Sequence, residues 1–294
     1  MTFVLAFSKY HGLGNDFIVV DRKNGGEPLA PAAVRALCDR HRGVGADGVL
    51  TLWPAARGSR ACGRMQTQNA DGSEAEVCGN GLRCLARYAF DARLVAPGAT
   101  DLTITAGERD YHAVRLTDDR FRVHMGGYAL AHRDLSPRAT TANQGRVELE
   151  AEGRRFVATC VHLGNPHAVI FVDDGDDGDD GDVHAALRTL ALRYGPALER
   201  HPDFAARVNV SFVRSEAGGF VAAVYERGAG LTLACGSGAC AIGAAAVQRG
   251  LAARGAALRI ELPGGTLRVS IDAGDEIELE GEAVRVFTGE AMLS

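Results

Sequence analysis

The chain has 294 residues, 46% apolar and 23% charged, with a net charge of −5. That is long enough for two ordinary domains. The balance is that of a soluble globular protein: mild acidity speaks against a nucleic-acid-binding face, and no run approaches the ~20 apolar residues of a membrane span. Seven cysteines at irregular spacings make no disulfide framework, so reduced thiols and a cytoplasmic protein are expected. The start, Met1 to Phe7, reads as a first strand, not a signal peptide.

Phe3 to Phe7 and Phe17 to Val20 are strand-like, with Lys9 to Phe17 between them read as a turn rich in small and polar residues. Pro31 opens a helix to about Arg40, proline being tolerated in a first turn. His41 to Gly48 is a glycine-rich turn that lacks the Gly-Lys-Ser/Thr ending of a phosphate loop. Val49 to Trp53 and Cys62 to Gln68 read as strands. A helix follows from about Gly79 to Arg93; Leu82, Leu85, Ala86, Ala89 and Phe90 share one face, with Arg83, Arg87 and Tyr88 off it. Strands are expected near 101–106, 111–116 and 120–124, then a loop from Gly126 to Gly145, which is the candidate domain boundary.

Strands resume near Val147, with Arg155 to Val161 leading through Leu163-Gly-Asn165-Pro166-His167 into Ala168 to Val172. This repeats the earlier pattern of a Gly-Asn turn running into an apolar strand. Residues 173–182 are Asp-Gly repeats, read as a solvated acidic loop; they lack the spaced ligands of a calcium loop. Val183 to Arg193 is helical, and Arg207 to Val213 alternates as a half-buried strand. Phe220 to Tyr225 is a strand, Gly236 to Arg249 an alanine- and glycine-rich helix, and four short strands from Leu258 to Phe287 close the chain.

Two stretches are matched. Asn69 lies nine residues before Cys78-Gly79-Asn80-Gly81, and Glu226 lies nine before Cys235-Gly236-Ser237-Gly238. Each cysteine stands at a predicted helix start. The helix dipole there favours thiolate and lowers the thiol pKa, exposed N–H groups suit an anion, and the glycines permit close approach. A base and an anion cradle in each half suggest a two-base inversion of a stereocentre, one thiolate taking a proton and the other thiol returning one. The rival readings are inert core cysteine, applied to Cys38, Cys62, Cys84, Cys160 and Cys240; a zinc site, for which the spacings are wrong; and a Cys78–Cys235 disulfide.

These motifs resemble the diaminopimelate epimerase family, which uses no pyridoxal phosphate. The resemblance runs through Lys9 to Phe17, Gly43 to Asp47, Asn69 to Ser73, Cys78 to Cys84, Gly164 to His167, Asn209 to Phe212, Glu226 to Gly228 and Ala234 to Gly238. It implies interconversion of LL- and meso-2,6-diaminopimelate in lysine and peptidoglycan precursor synthesis, with no cofactor and no metal. It implies an α/β (α+β) fold of two pseudo-symmetric domains, each a mostly antiparallel sheet wrapped around a central helix. Residues 1–126 plus about 280–294 would form the first domain and about 127–279 the second, in a homodimer. Cys78 and Cys235 would be the acid–base pair, with His167 and Glu226 tuning the thiols. Gly79, Asn80, Gly236 and Ser237 would cradle the reacting carboxylate. Asn15, Asn69, Asn165, Asn209, Glu226 and Arg227 would hold the polar ends of the substrate. Gly48 stands where many members carry glutamine, and Phe287 where a tyrosine often supports the dimer. A proline-racemase-like enzyme, a phenazine-type isomerase and a non-catalytic amino-acid binder are the competing readings.

Overall fold

The computed structural model describes residues 3–75, 77–173 and 182–293. Residues 174–181 of the acidic segment lie outside the described residues. The chain divides into two compact units, residues 1–124 with 280–294 and residues 125–279.

The first unit opens with β1 (Phe3–Gly12) and β2 (Asn15–Asp21), an antiparallel hairpin that pairs Gly12 with Asn15. Helix α1 (Pro31–Cys38) carries the chain to β3 (Gly48–Trp53), which lies parallel to β2. β4 (Arg64–Asn69) returns antiparallel to β3 and delivers the chain to α2 (Gly79–Asp91). β5 (Asp101–Ala106), β6 (Arg109–Arg115) and β7 (Arg120–Gly127) complete the meander.

The second unit repeats this plan. β8 (Arg146–Ala151), β9 (Arg154–His162) and β10 (Pro166–Phe171) are successive antiparallel partners. Helix α3 (Val183–Glu199) crosses to β11 (Asn209–Glu216), parallel to β10. β12 (Gly219–Glu226) returns antiparallel, and after the short β13 (Gly230–Leu231) comes α4 (Gly236–Gln248). β14 (Leu258–Leu262), β15 (Gly265–Ile271) and β16 (Glu276–Glu282) follow. β17 (Val284–Leu293) then pairs along β1, placing the end of the chain in the first unit. In both units a hairpin, a parallel step across a helix and an antiparallel return lead to a cysteine at a helix start.

Each unit is built around its cysteine-bearing helix. Helix α2 touches β1, β2, β3, β4, β5, β6 and β17, and α4 touches β9, β10, β11, β14 and β15. A helix ringed by strands must be apolar or thin on all sides. In α4 every residue except Ser237 and Gln248 is buried. At Gly243 a Cβ would come within 2.7 Å of Val269 Cγ1, so glycine sets that close approach. In α2 the burial extends to Arg83, which is fully enclosed. The expected single apolar face was therefore too narrow, because strands cover the other sides as well.

Two further differences have the same origin. β11 is buried on both faces from Asn209 to Val213, not half-buried, because α3 packs on one side and α4 on the other. Helix α3 runs past Pro196 to Glu199 instead of ending near Arg193. Proline there removes one helical bond, but Leu192, whose carbonyl loses its donor, is on the exposed side. Tyr194 and Leu198 meanwhile continue the face buried with Phe156 and Phe212. Gly195 lies where α3 meets β12, and a Cβ there would fall 2.6 Å from Tyr225 Cγ. Gly195→Ala is expected to destabilise the fold by about 1–3 kcal/mol through overpacking, read as a lower urea midpoint with an unchanged slope.

Candidate active site

The first half-site starts at the β1–β2 turn. Leu13 and Gly14 both have positive φ (56° and 81°), as a tight two-residue hairpin requires. This turn presents Asn15 at the head of β2. Asn15 Nδ2 donates to Asp47 Oδ2 at 2.9 Å, and the Asp16 N–H donates to the same oxygen at 3.1 Å. Arg40 bridges Asp16 and Asp47 at 2.7 Å each, and the buried Lys9 ammonium lies 2.6 Å from Asp16. Burial works against the Asp16 charge, but hydrogen bonds from Arg40 and Lys9 outweigh it and hold its pKa far below the usual carboxylate range.

A depressed folded-state pKa means the unfolded chain binds the extra proton first. The stabilisation is thus complete above about pH 4 and is lost as pH falls below it. Asp16→Asn is expected to cost about 3 kcal/mol near neutral pH by leaving Lys9 buried without its anion. It should also flatten the loss of stability on acidification, measured by urea unfolding across that range.

Cys78 is the N-cap of α2 and lies 3.9 Å from Asn15 Oδ1. Asn80 Nδ2 donates to that same oxygen at 3.2 Å. Gly79 and Asn80 form the buried first turn of the helix. Asn69 ends β4; its side chain donates to Ser73 Oγ at 3.0 Å. Its cross-strand partner is Gly48. A Cβ on Gly48 would lie 2.6 Å from the Gln68 carbonyl oxygen, so the strands have closed over this position and no side chain fits.

The second half-site is more enclosed. Cys235 is the N-cap of α4, 4% exposed, and its sulfur accepts from the Gly238 N–H at 3.3 Å. Its S–H points to Glu226 Oε2 at 3.1 Å, and Ser237 Oγ is 3.6 Å away. The other Glu226 oxygen accepts from Thr232 Oγ1 at 2.5 Å. Burial, then the Glu226 charge, push the Cys235 thiol well above its ordinary pKa, against the smaller pull of Ser237 and the Gly238 N–H. The expectation that the helix start lowers this pKa is thereby corrected. One N–H and a dipole do not match full desolvation beside a carboxylate, so Cys235 rests as the thiol.

Asn165 Nδ2 donates to Ser237 Oγ at 3.4 Å, and His167 Nε2 is 2.9 Å from Asn165 Oδ1. His167 is fully buried, and burial, with smaller contributions from His162 and Arg227, lowers its pKa to about 3. It is a neutral imidazole that orients Asn165; the link from His167 to Cys235 runs through Asn165 and Ser237. Asn209 Nδ2 donates to the Pro166 carbonyl at 3.0 Å, and its Oδ1 accepts the Arg227 N–H at 2.9 Å. Asn209 thus ties the Asn165 turn to the Glu226-Arg227 turn. The Arg227 guanidinium donates to the Ala206 carbonyl at 3.1 Å.

Several residues here escaped the sequence reading. Asp16 and Asp47 lay inside the quoted motifs, and their acidic character among glycines was the available signal. Arg83 was set aside because helical spacing put it off the apolar face. Glu199 is 3% exposed and accepts the Gly228 N–H at 3.2 Å, steadying the turn after Glu226; nothing local in the sequence marks it. The remaining cysteines behave as core. Burial raises Cys38 and Cys62 to about 11 and Cys84 and Cys160 to about 12. Cys240 is buried, and none of the seven cysteines is in a disulfide. Among the described residues, His132, Asp134 and His162 group at metal-ligand spacing. The two imidazoles are stacked at 3.6 Å and 20°, so their in-plane lone pairs run side by side instead of converging on one ion.

The family model for diaminopimelate epimerase matches residues 7–131 and 159–293. A diaminopimelate epimerase of Synechocystis is 40% identical over 292 residues, covering 98% of this chain and 99% of that protein. One from Nostoc punctiforme is 38% identical over 290 residues, covering 97% and 99%. Among solved structures, a hydroxyproline epimerase from Agrobacterium vitis aligns with a TM-score of 0.71 at 17% identity, covering 99% of this chain and 93% of that one. A predicted epimerase from Pseudomonas aeruginosa aligns at 0.64 and 18%, covering 99% and 100%. At those identities the two structures speak for the fold alone: two α+β units, mostly sheet. With relatives at about two-fifths identity from end to end and the motifs at both helix starts in place, the chain belongs to the diaminopimelate epimerase family.

Proposed function

We propose that this protein is an isomerase that interconverts LL- and meso-2,6-diaminopimelate, with Cys78 and Cys235 as the two acid–base groups. The observation that carries the mechanism is the matched pair of N-cap cysteines, each next to a polar oxygen, Asn15 Oδ1 for Cys78 and Glu226 Oε2 for Cys235. An amino-acid α-hydrogen is a very weak acid. Without an electron sink its carbanion needs fixed dipoles and a dry environment. The first-turn N–H groups at Gly79, Asn80, Gly236 and Ser237 supply the dipoles and take the reacting carboxylate. Asn15, Asn69, Asn165, Asn209 and Arg227 hold or position the substrate's polar ends. One thiolate takes the α-proton and the other thiol donates to the opposite face.

The test is incubation of the reduced protein with LL-diaminopimelate in deuterated water. Deuterium uptake at the α-carbon together with meso product supports the reading. Racemisation of proline in place of that reaction, or tight binding of diaminopimelate without exchange, overturns it.

The reading includes a cytoplasmic homodimer serving lysine and peptidoglycan precursor synthesis. Seven cysteines at spacings that make no disulfide framework favour that compartment, and among the described residues no helix is long and apolar enough to cross a membrane. Val4 and Met292 are exposed and paired on one face of β1 and β17, while Phe287 lies on the other face, edge-on to Phe7 at 5.8 Å. The exposed Val4–Met292 pair suits a second copy of the chain. Replacing both Val4 and Met292 by aspartate is expected to turn dimer into monomer in sedimentation; an unchanged dimer would exclude this face.

A further inference from the structure

Glu199 ends α3 with its side chain 3% exposed. A buried carboxylate is costly unless its oxygens are satisfied. Oε2 accepts from Arg200 Nε at 3.2 Å, and Oε1 lies 3.5 Å from Arg207 Nη1. Both arginine side chains are more than half exposed, so neither pairing explains the burial. The third contact is with backbone: Oε1 accepts the Gly228 N–H at 3.2 Å.

Gly228 belongs to the turn Glu226-Arg227-Gly228-Ala229, closed by the Ala229 N–H on the Glu226 carbonyl at 3.2 Å. Its φ is 75°, and Arg227 is not among the residues of positive φ, which makes the turn type II. Types I and II share the same closing bond. They differ by a half-rotation of the peptide plane between the two central residues, so the closing bond does not choose between them. Asn209 does not choose either, because its Oδ1 accepts the Arg227 N–H and so pins the plane before Arg227. Glu199 meets the plane after it. A carboxylate only accepts, so the Gly228 N–H, and not the Arg227 carbonyl, has to face it.

Glu199 also braces the other side of Arg227. Its own carbonyl accepts the Val208 N–H at 3.1 Å, beside Ala206, whose carbonyl takes the Arg227 guanidinium. Arg207 between them has a φ of 60°, a conformation that a non-glycine residue keeps only when its surroundings hold it.

We propose that Glu199 is a positioning residue, locking the peptide plane between Arg227 and Gly228 and so presetting the Arg227 turn for a polar end of the substrate. This rests on the reading of Arg227 as a group that holds such an end. A plane free to flip exchanges an N–H and a carbonyl beside the Arg227 side chain. Only a fraction of the molecules would then be competent to bind, and affinity falls by that fraction. The chemistry at the α-carbon is untouched, so the loss belongs in KM and not in kcat.

The experiment measures kcat and KM for LL-diaminopimelate on the whole folded chain. Glu199→Met, which keeps the bulk without an acceptor, is expected to raise KM about tenfold with kcat within about threefold. Glu199→Gln keeps an acceptor and is expected to hold KM within about threefold of the wild type. Glu199→Asp keeps the charge but draws it back from Gly228, and is expected to behave as the methionine variant does if that one does not fold. An unchanged KM in a folded Met or Asp variant, a loss confined to kcat, or a glutamine variant as weak as the methionine one overturns the proposal. Failure of the underlying reading shows separately, as a wild-type protein that exchanges no α-hydrogen, whereas failure of this inference leaves that exchange intact.

Discussion

Cys78→Ala and Cys235→Ala are each expected to lower kcat/KM for meso-diaminopimelate formation by about 10³-fold or more, with both chains still folded. Loss of a positioned acid or base costs roughly 10²–10⁴-fold, and inversion needs both groups in every turnover. Neither sulfur is a major packing element. Cys78 is half-buried at the α2 N-cap and makes no side-chain capping bond there, so its loss barely changes stability. Cys235 accepts one N–H, from Gly238, and its alanine variant is expected to lose about 1 kcal/mol. The two variants are measured by product formation and by solvent deuterium in recovered substrate. Inversion at more than a tenth of the wild-type rate in either variant would remove that thiol from the mechanism.

Glu226→Gln is expected to separate two roles. The carboxylate accepts the Cys235 S–H at 3.1 Å and is itself braced by Thr232. After burial, its charge is the largest influence raising the Cys235 thiol. Neutralising it removes that repulsion, so the alkylation midpoint of Cys235 should move to lower pH, with the residual elevation due to burial. Catalysis should move the other way. The Cys235 proton then has no neighbouring carboxylate to receive it during turnover, easier ionisation notwithstanding, and kcat should fall about 10²-fold or more. KM should change less, because the amide keeps the shape and the Thr232 contact. A midpoint that stays put or rises would show that Glu226 does not govern the thiol. An intact kcat would show that it takes no part in proton transfer.

The two half-sites were legible because the chemistry is local in sequence. Cysteine, glycine and a polar residue in consecutive positions at a helix start define an N-cap and its exposed N–H groups whatever surrounds them. The duplicated Gly-Asn turns were legible for the same reason, since turn chemistry depends on a few neighbouring residues. Helix α3 and β11 were misjudged because periodicity assumes one wet side. A strand between α3 and α4 has none, and a helix can pass a proline whose lost bond faces water. Arg83 was missed on the same assumption. Helical spacing shows which residues share a face, but not that strands cover every face.

The sequence by itself determined the element order, the two cysteine N-caps and the family, since each depends on residue types at short and countable spacings. Only the tertiary structure decided the protonation states. Cys235 is a thiol and not a thiolate because Glu226, nine residues away in sequence, and complete burial meet at one sulfur. His167 is a neutral orienting group because it is sealed from water. Desolvation and hydrogen-bond direction depend on everything packed within a few ångströms, and that neighbourhood is assembled from chain segments whose meeting no local pattern records.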